Sequence, residues 1–238
     1  MKAFLLRSLN YIGSFYAYIG LIYALYFIYF IVVPTYYQQN RLSNSNYFIF
    51  NMIFFYFFSQ GYANLILTRF ASFSLDNTSR YCSDRAHYCK LCQTIIPVHD
   101  HHCFFVGTCI GQHNLRYFLL MLFHLLCAHF IGYAFVCDYM WNEIGGFHLI
   151  SIPKILFFNI GYLIGFVENK WQAFICFHHY LAYFDFVFIS NLFYQVMRRT
   201  LNGQTQYEEK KMIQRNKQTF SQIFGSNKWI LIFPFIRE

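Results

Sequence analysis

Four stretches of almost unbroken apolar side chains, residues 11–33, 47–67, 117–137 and 173–197, constrain this chain more than anything else in it. Each reaches the ~20 residues that a helix rising ~1.5 Å per residue needs to cross a hydrocarbon core. A water-soluble domain would have to cover four such runs with polar side chains, and few are present. Hydrophobic residues make up 57% of the chain, aromatics 24% and charged residues 12%, whereas soluble domains are nearer a quarter charged. Lipid is the expected solvent for much of the surface. Asn51, Gln60 and Asn64, inside the second run, are then expected to face other helices. The expected fold class is an all-α polytopic membrane protein with four transmembrane helices. A further apolar segment near 147–167, interrupted by Pro153 and Lys154, reads as an interfacial or re-entrant piece; a five-span chain is the rival.

The net charge of +8 is unevenly placed. Lysine and arginine gather near the N-terminus, in residues 68–116 and in the tail after Arg198 and Arg199. Residues 34–46 carry Arg41 alone. Cationic short segments favour the cytosolic side, so the N-terminus, the 68–116 interval and the tail are expected in the cytosol, which four spans satisfy. The cations sit in short loops and a tail, which fits a membrane face and not nucleic acid. The first run has the length of a span and no small-residue cleavage site, so it reads as a membrane helix and not as a signal peptide.

The polar interval holds the chemistry. Cys89, Cys92, Cys103 and Cys109, four of the eight cysteines, fall in residues 89–109 with His101 and His102 among them. Cytosolic thiols stay reduced, so such a cluster reads as metal ligation or catalysis. Cys89 and Cys92 have the spacing of a zinc knuckle, and zinc takes four tetrahedral nitrogen or sulfur ligands. Two ligand sets fit: Cys89, Cys92, His102 and Cys109 with Cys103 free, or Cys89, Cys92, Cys103 and Cys109 with both histidines free. Spacing does not choose between them. Asp100 beside His101 points past a purely structural loop, because a carboxylate orients an imidazole and stabilises its cation. A nearby cysteine then loses its proton more easily.

Asp100-His101-His102-Cys103, with Cys89 and Cys92 before it and Cys109, Asn114 and Phe118 after it, resembles the DHHC family of protein S-acyltransferases. Asp84-Arg85-Ala86 resembles the family's loop. Thr205-Gln206-Tyr207-Glu208 stands where the family has Thr-Thr-x-Glu, and Ile223-Phe224-Gly225 with Trp229 resembles its C-terminal aromatic segment. The resemblance implies residues 1–68 as transmembrane helices 1 and 2, and 69–116 as a cytosolic, cysteine-rich zinc domain. Residues 117–199 become helices 3 and 4 with the extra segment, and 200–238 a basic cytosolic tail. It implies Cys103 as nucleophile, His101 as acid and base, Asp100 as its orienting partner, and Cys89, Cys92, His102 and Cys109 on zinc. Its co-substrate is a fatty acyl-CoA and its acceptor a cysteine of a substrate protein; its setting is an endomembrane, ER or Golgi, with lipid around the helices. Arg116 and Lys90 are candidates for the CoA phosphates, and Asn114, Thr205 and Glu208 for structural ties between loop, third helix and tail.

Two departures stand out. The family usually holds two zinc ions, and the four ligand positions of the other site fall on Leu75, Thr78, Tyr88 and Ile95, none a usual ligand. Cys82 and His87 are out of register for it. One zinc is therefore expected. Phe104-Phe105 replaces the Pro-Trp often found after the motif. These losses make a catalytically weak or inactive, zinc-braced membrane adaptor of the same fold the alternative.

Overall fold

The computed structural model describes residues 2–34, 44–71, 85–144, 160 and 170–225. Expectations for Leu75, Thr78, Cys82, Trp229 and, apart from Ile160, the 147–167 segment lie outside these. The described chain is mostly helical. Helix α1 runs Lys2–Phe27 and continues through a π-helical turn, Ile28–Val32. Helix α2 is Asn44–Phe70, α3 is Leu115–Ile144 and α4 is Lys170–Leu201. Between α2 and α3 come four three-residue strands: β1 (His87–Cys89), β2 (Thr94–Ile96), β3 (His101–Cys103) and β4 (Thr108–Ile110). Two one-turn helices, α5 (Gln206–Lys210) and α6 (Phe220–Phe224), follow α4.

Each long helix outruns its apolar stretch, because polar residues continue the helix past the apolar core of the run. The wide turn before Pro34 has a local cause. Proline has no N–H for the carbonyl four residues back, and the wider π turn eases the crowding of that carbonyl by the ring. Among the described residues, Ser8–Val32 and Leu115–Asn142 are long and apolar enough to cross a membrane. Helices α2 and α4 are as long, but α2 carries Asn51, Gln60 and Asn64, and α4 carries His178, His179 and Asp185. Two of these amides turn back on their own helix: Asn51 donates to the Tyr47 carbonyl at 2.7 Å and Asn64 to that of Gln60 at 2.8 Å.

The chain forms two compact units. One comprises residues 25–57 and 126–191 and is held by ring packing. Phe50 lies 4.0 Å from Phe135, and His178 stacks on Phe27 at 4.4 Å while donating Nδ1–H to the Phe174 carbonyl. This unit contains an apolar cavity of about 400 Å³ lined by Phe57, Cys127, Phe130 and Phe186 among others. The other unit comprises 1–24, 58–125 and 192–238 and carries the cysteine-rich hairpins. Its core includes the fully buried Val106, Ile110, Phe118 and Leu119.

Candidate active site and metal centre

Strands β1 and β2 pair antiparallel with Cys89 opposite Thr94, and β3 pairs with β4 with His102 opposite Cys109 and Cys103 opposite Thr108. Side chains alternate faces along a strand. His102 and Cys109, directly across the ladder, therefore share one face. His101 and Cys103, on either side of His102, share the other. Of the two ligand sets the spacing allowed, this register puts His102, and not Cys103, on the face of Cys109.

Cys89 closes β1 and Cys92 lies in the turn after it. His102 Nδ1 is 3.6, 3.4 and 3.6 Å from the Sγ atoms of Cys89, Cys92 and Cys109, and the Cys92 and Cys109 sulfurs are 3.5 Å apart. All four donor atoms fall within 4.8 Å of one another. Zinc–sulfur and zinc–nitrogen bonds of ~2.3 and ~2.05 Å at tetrahedral angles require separations of ~3.6 Å for S···N and ~3.8 Å for S···S. Three thiols and one imidazole nitrogen at this spacing fit zinc. Hydrogen bonds from Cys109 and His102 hold the Cys92 thiol well below its ordinary value, while the bond to Cys92, with burial, holds Cys109 up. Cys89 and Cys109 also pack with Ile96 in a buried contact that joins the two hairpins.

On the opposite face, buried Cys103 stands beside His101. His101 Nδ1 is 2.6 Å from Asp100 Oδ2, leaving Nε2 for the thiol. Burial alone would lower the His101 pKa, but hydrogen bonds to Asp100 and Cys103 outweigh it and push it up to about 9. Burial would raise the Asp100 carboxyl, yet His101, Arg199 and the Gln206 amide hold it below the ordinary carboxylate value. Phe118 presents its ring to His101 at 5.7 Å. The arrangement is a thiol, a protonatable base and a carboxylate that orients the base.

The structure places the remaining sequence candidates, Asn114, Thr205, Glu208, Arg116 and Lys90, as follows. Asn114 is fully buried. It accepts from Gly111 N–H at 3.0 Å and donates to the Thr68 carbonyl at 3.0 Å and the Cys109 carbonyl at 2.9 Å. It so ties α2, β4 and the start of α3. Thr205 and Glu208 form a capping box at the start of α5. Buried Glu208 also takes Arg85 at 2.6 Å and Arg215 at 2.8 Å. The same turn donates Gln206 N–H to Asp100 Oδ1 at 2.7 Å. That bond uses the backbone, so glutamine in place of threonine leaves it intact. Arg116 stacks 4.7 Å over Tyr117 and lines a polar cavity of about 220 Å³ that also touches Arg85, Asp100 and Gln222. Lys90 is exposed in the β1–β2 turn and is not among that cavity's lining residues.

Tyr88 and Ile95 face each other across the β1–β2 ladder and are 59% and 46% exposed; the backbone brings these two positions of the expected other metal site together, with no donor atom on Ile95. His87 packs on Tyr207 at 4.5 Å instead. Sequence reasoning missed three groups. Arg199, which closes the last apolar run, is buried with its guanidinium 3.7 Å from Asp100. Arg69 donates to the Val106 carbonyl at 3.1 Å. Asn10 meets His102 Nε2 at 2.9 Å. Each partner is distant along the chain, and only an unpaired polar residue at the end of an apolar run hinted at them.

Residues 74–213, more than half of the 238-residue chain, match the family described as DHHC palmitoyltransferase. The chain is 34% identical over 133 residues to the palmitoyltransferase ZDHHC22 of Danio rerio, covering 48% of each. It is 28% identical over 121 residues to the palmitoyltransferase pfa3 of Aspergillus fumigatus, covering 45% of this chain and 22% of that one. To the probable protein S-acyltransferase 6 of Arabidopsis thaliana it is 36% identical over 83 residues, 34% of this chain and 20% of the other. The chain thus spans about half the length of the first of these relatives and less of the other two.

Proposed function

Since the chain belongs to the DHHC palmitoyltransferase family, we propose that it is a membrane-embedded protein S-acyltransferase. It moves a fatty acyl group, palmitoyl foremost, from acyl-CoA through Cys103 to a cysteine of a substrate protein. The observation that carries this reading is the split of β3: Cys103 and His101 on one face with Asp100 bonded to His101 at 2.6 Å, and His102 on the other among three sulfurs.

His101 takes the Cys103 proton, and the cation so formed is stabilised by Asp100. The Cys103 sulfur then attacks the thioester carbonyl of acyl-CoA. The carbon–sulfur bond to CoA breaks, and His101 returns its proton to the departing CoA thiolate. In the second half His101 accepts the proton of the acceptor cysteine. That sulfur attacks the Cys103 thioester, and Cys103 leaves and is reprotonated by His101. Cys89, Cys92, His102 and Cys109 would hold one zinc ion, which would supply structural bracing between the hairpins. Arg116 meets a phosphate of acyl-CoA; its place on the polar cavity supports this, and the exposed turn position of Lys90 makes it the lesser candidate. We also assign α1 to α4 as four spans. The 69–116 domain and the tail then lie at the cytosolic face of an ER or Golgi membrane, in contact with lipid and not with nucleic acid.

The test is autoacylation of the purified protein with labelled palmitoyl-CoA. The native chain is expected to gain a hydroxylamine-sensitive label and then lose it to an acceptor protein. Cys103→Ser keeps its zinc and takes no label. Equal labelling of both would remove Cys103 from the reaction. A native chain that holds zinc and takes no label would make this protein the zinc-braced adaptor instead.

A further inference from the structure

Both chain neighbours of Cys103 are gripped by one face of helix α1. Asn10, Gly13 and Ser14 stand at spacings of three and four, which places them together on one side of the helix. Asn10 Oδ1 is 2.9 Å from His102 Nε2. The Ser14 hydroxyl donates to the Phe104 carbonyl at 3.1 Å. Between them, a Cβ built on Gly13 would stand 2.9 Å from that same carbonyl oxygen, so only glycine lets the helix come this close. His102 and Phe104 flank Cys103 in sequence. We propose that Asn10 is a positioning residue of the metal site, and that the Asn10–Gly13–Ser14 face of α1 sets where Cys103 stands.

The chemistry is that of an outer partner for a metal-binding imidazole. His102 turns Nδ1 to the three sulfurs. The proton of the neutral ring must then sit on Nε2, where the only acceptor atom of an asparagine side chain, Oδ1, receives it. That bond selects the tautomer whose Nδ1 lone pair faces the metal and fixes the ring plane. Loss of such a partner typically costs 10–100-fold in metal affinity or activity. The Ser14 bond acts on the other flank through backbone alone, so it steers Cys103 without touching a ligand.

The inference rests on the metal-site reading above, and its test separates the two. Zinc content of the native chain is measured first, followed by transfer of zinc to a chromophoric chelator from the native chain, Asn10→Ala, Asn10→Asp and Ser14→Ala. A carboxylate accepts the Nε2 proton as well as an amide oxygen does. Asn10→Ala is therefore expected to lose affinity by roughly 10–100-fold, while Asn10→Asp stays near the native value. Ser14→Ala keeps native zinc affinity and acylates more slowly. If Asn10→Ala does not fold, the aspartate variant alone decides. An alanine variant that holds zinc like the native chain, or an aspartate variant that loses it, overturns the role of Asn10 and leaves the metal site standing. A native chain without zinc overturns both.

Discussion

Replacing Glu208 by glutamine removes one charge from a buried junction and leaves its shape intact. The Glu208 side chain is 4% exposed and faces Arg85 and Arg215, themselves 21% and 31% exposed. It also accepts the Thr205 amide at 2.8 Å. Breaking a fully buried ion pair costs about 3–5 kcal/mol because a charge is stranded. Here both arginines reach water, so we expect about 2 kcal/mol for Glu208→Gln, which can still accept from Thr205. Glu208→Ala also loses the capping bond, worth about 1 kcal/mol more. For a chain of this size the glutamine variant should melt on the order of 5 °C lower at neutral pH. The pH dependence has a definite sign. Burial alone would raise the Glu208 pKa, but the Thr205 amide, Arg85 and Arg215 hold it below its ordinary value of 4.5. A depressed folded-state pKa gives stability that is full above the unfolded value and is lost as pH falls through the folded value. The gap between native and Glu208→Gln should therefore be complete at pH 7 and shrink only below about pH 4.5. Loss of zinc in acid affects both proteins and cancels in the difference. The assay is thermal unfolding of detergent-solubilised protein across pH, beside autoacylation at pH 7, where slower labelling is expected because the same turn presents Gln206 N–H to Asp100. Equal melting at pH 7, or a gap that persists unchanged into acid, would show that the Glu208 charge does not hold this junction.

Three further outcomes follow from the same geometry. Metal analysis should find close to one zinc per chain, and its removal by a chelator should abolish autoacylation; a count of two would contradict the reading of Tyr88 and Ile95. Asn114→Ala strands three buried partners and should cost roughly 3 kcal/mol at about 1 kcal/mol per hydrogen bond, seen as a lower melting temperature and faster zinc loss; an unchanged protein would remove Asn114 as the tie between α2, β4 and α3. Gly107 has φ +75°, and an added Cβ would lie 2.2 Å from Arg69 Nη1 and 2.3 Å from the Ser14 oxygen. Gly107→Ala should therefore lower both stability and acylation rate, the backbone conformation alone costing about 1–2 kcal/mol; native behaviour would show that the β3–β4 turn has room to move.

Much of the site was legible because its ligands are close in sequence. Cys89-x2-Cys92 and the run from Asp100 to Cys109 place every donor atom within one short interval, and thiols next to imidazoles leave few chemistries. Sequence alone did not separate His102 from Cys103 as ligand, because that depends on strand pairing, and three-residue strands carry almost no periodic signal. The pairing of His102 with Cys109 puts His102, and not Cys103, among the other sulfurs. The long helices were legible from apolar runs, although the polar residues that extend them were not. Contacts such as Asn10 with His102 and Gln206 with Asp100 join positions 92 and 106 apart, and no local pattern announces them. Lys90 and Arg116 looked alike as cations; only the fold distinguishes an exposed turn from a cavity wall.

The central claim is that Cys103 carries the acyl group while its neighbour His102 stays on the metal. Purified protein incubated with palmitoyl-CoA, digested and mapped by mass spectrometry tests both parts when zinc is assayed in the same sample. The expected result is a thioester-linked palmitoyl group on the peptide containing Cys103, none on Cys89, Cys92 or Cys109, and an undiminished zinc content. An acyl group on one of those three cysteines, or zinc released in proportion to acylation, would contradict it.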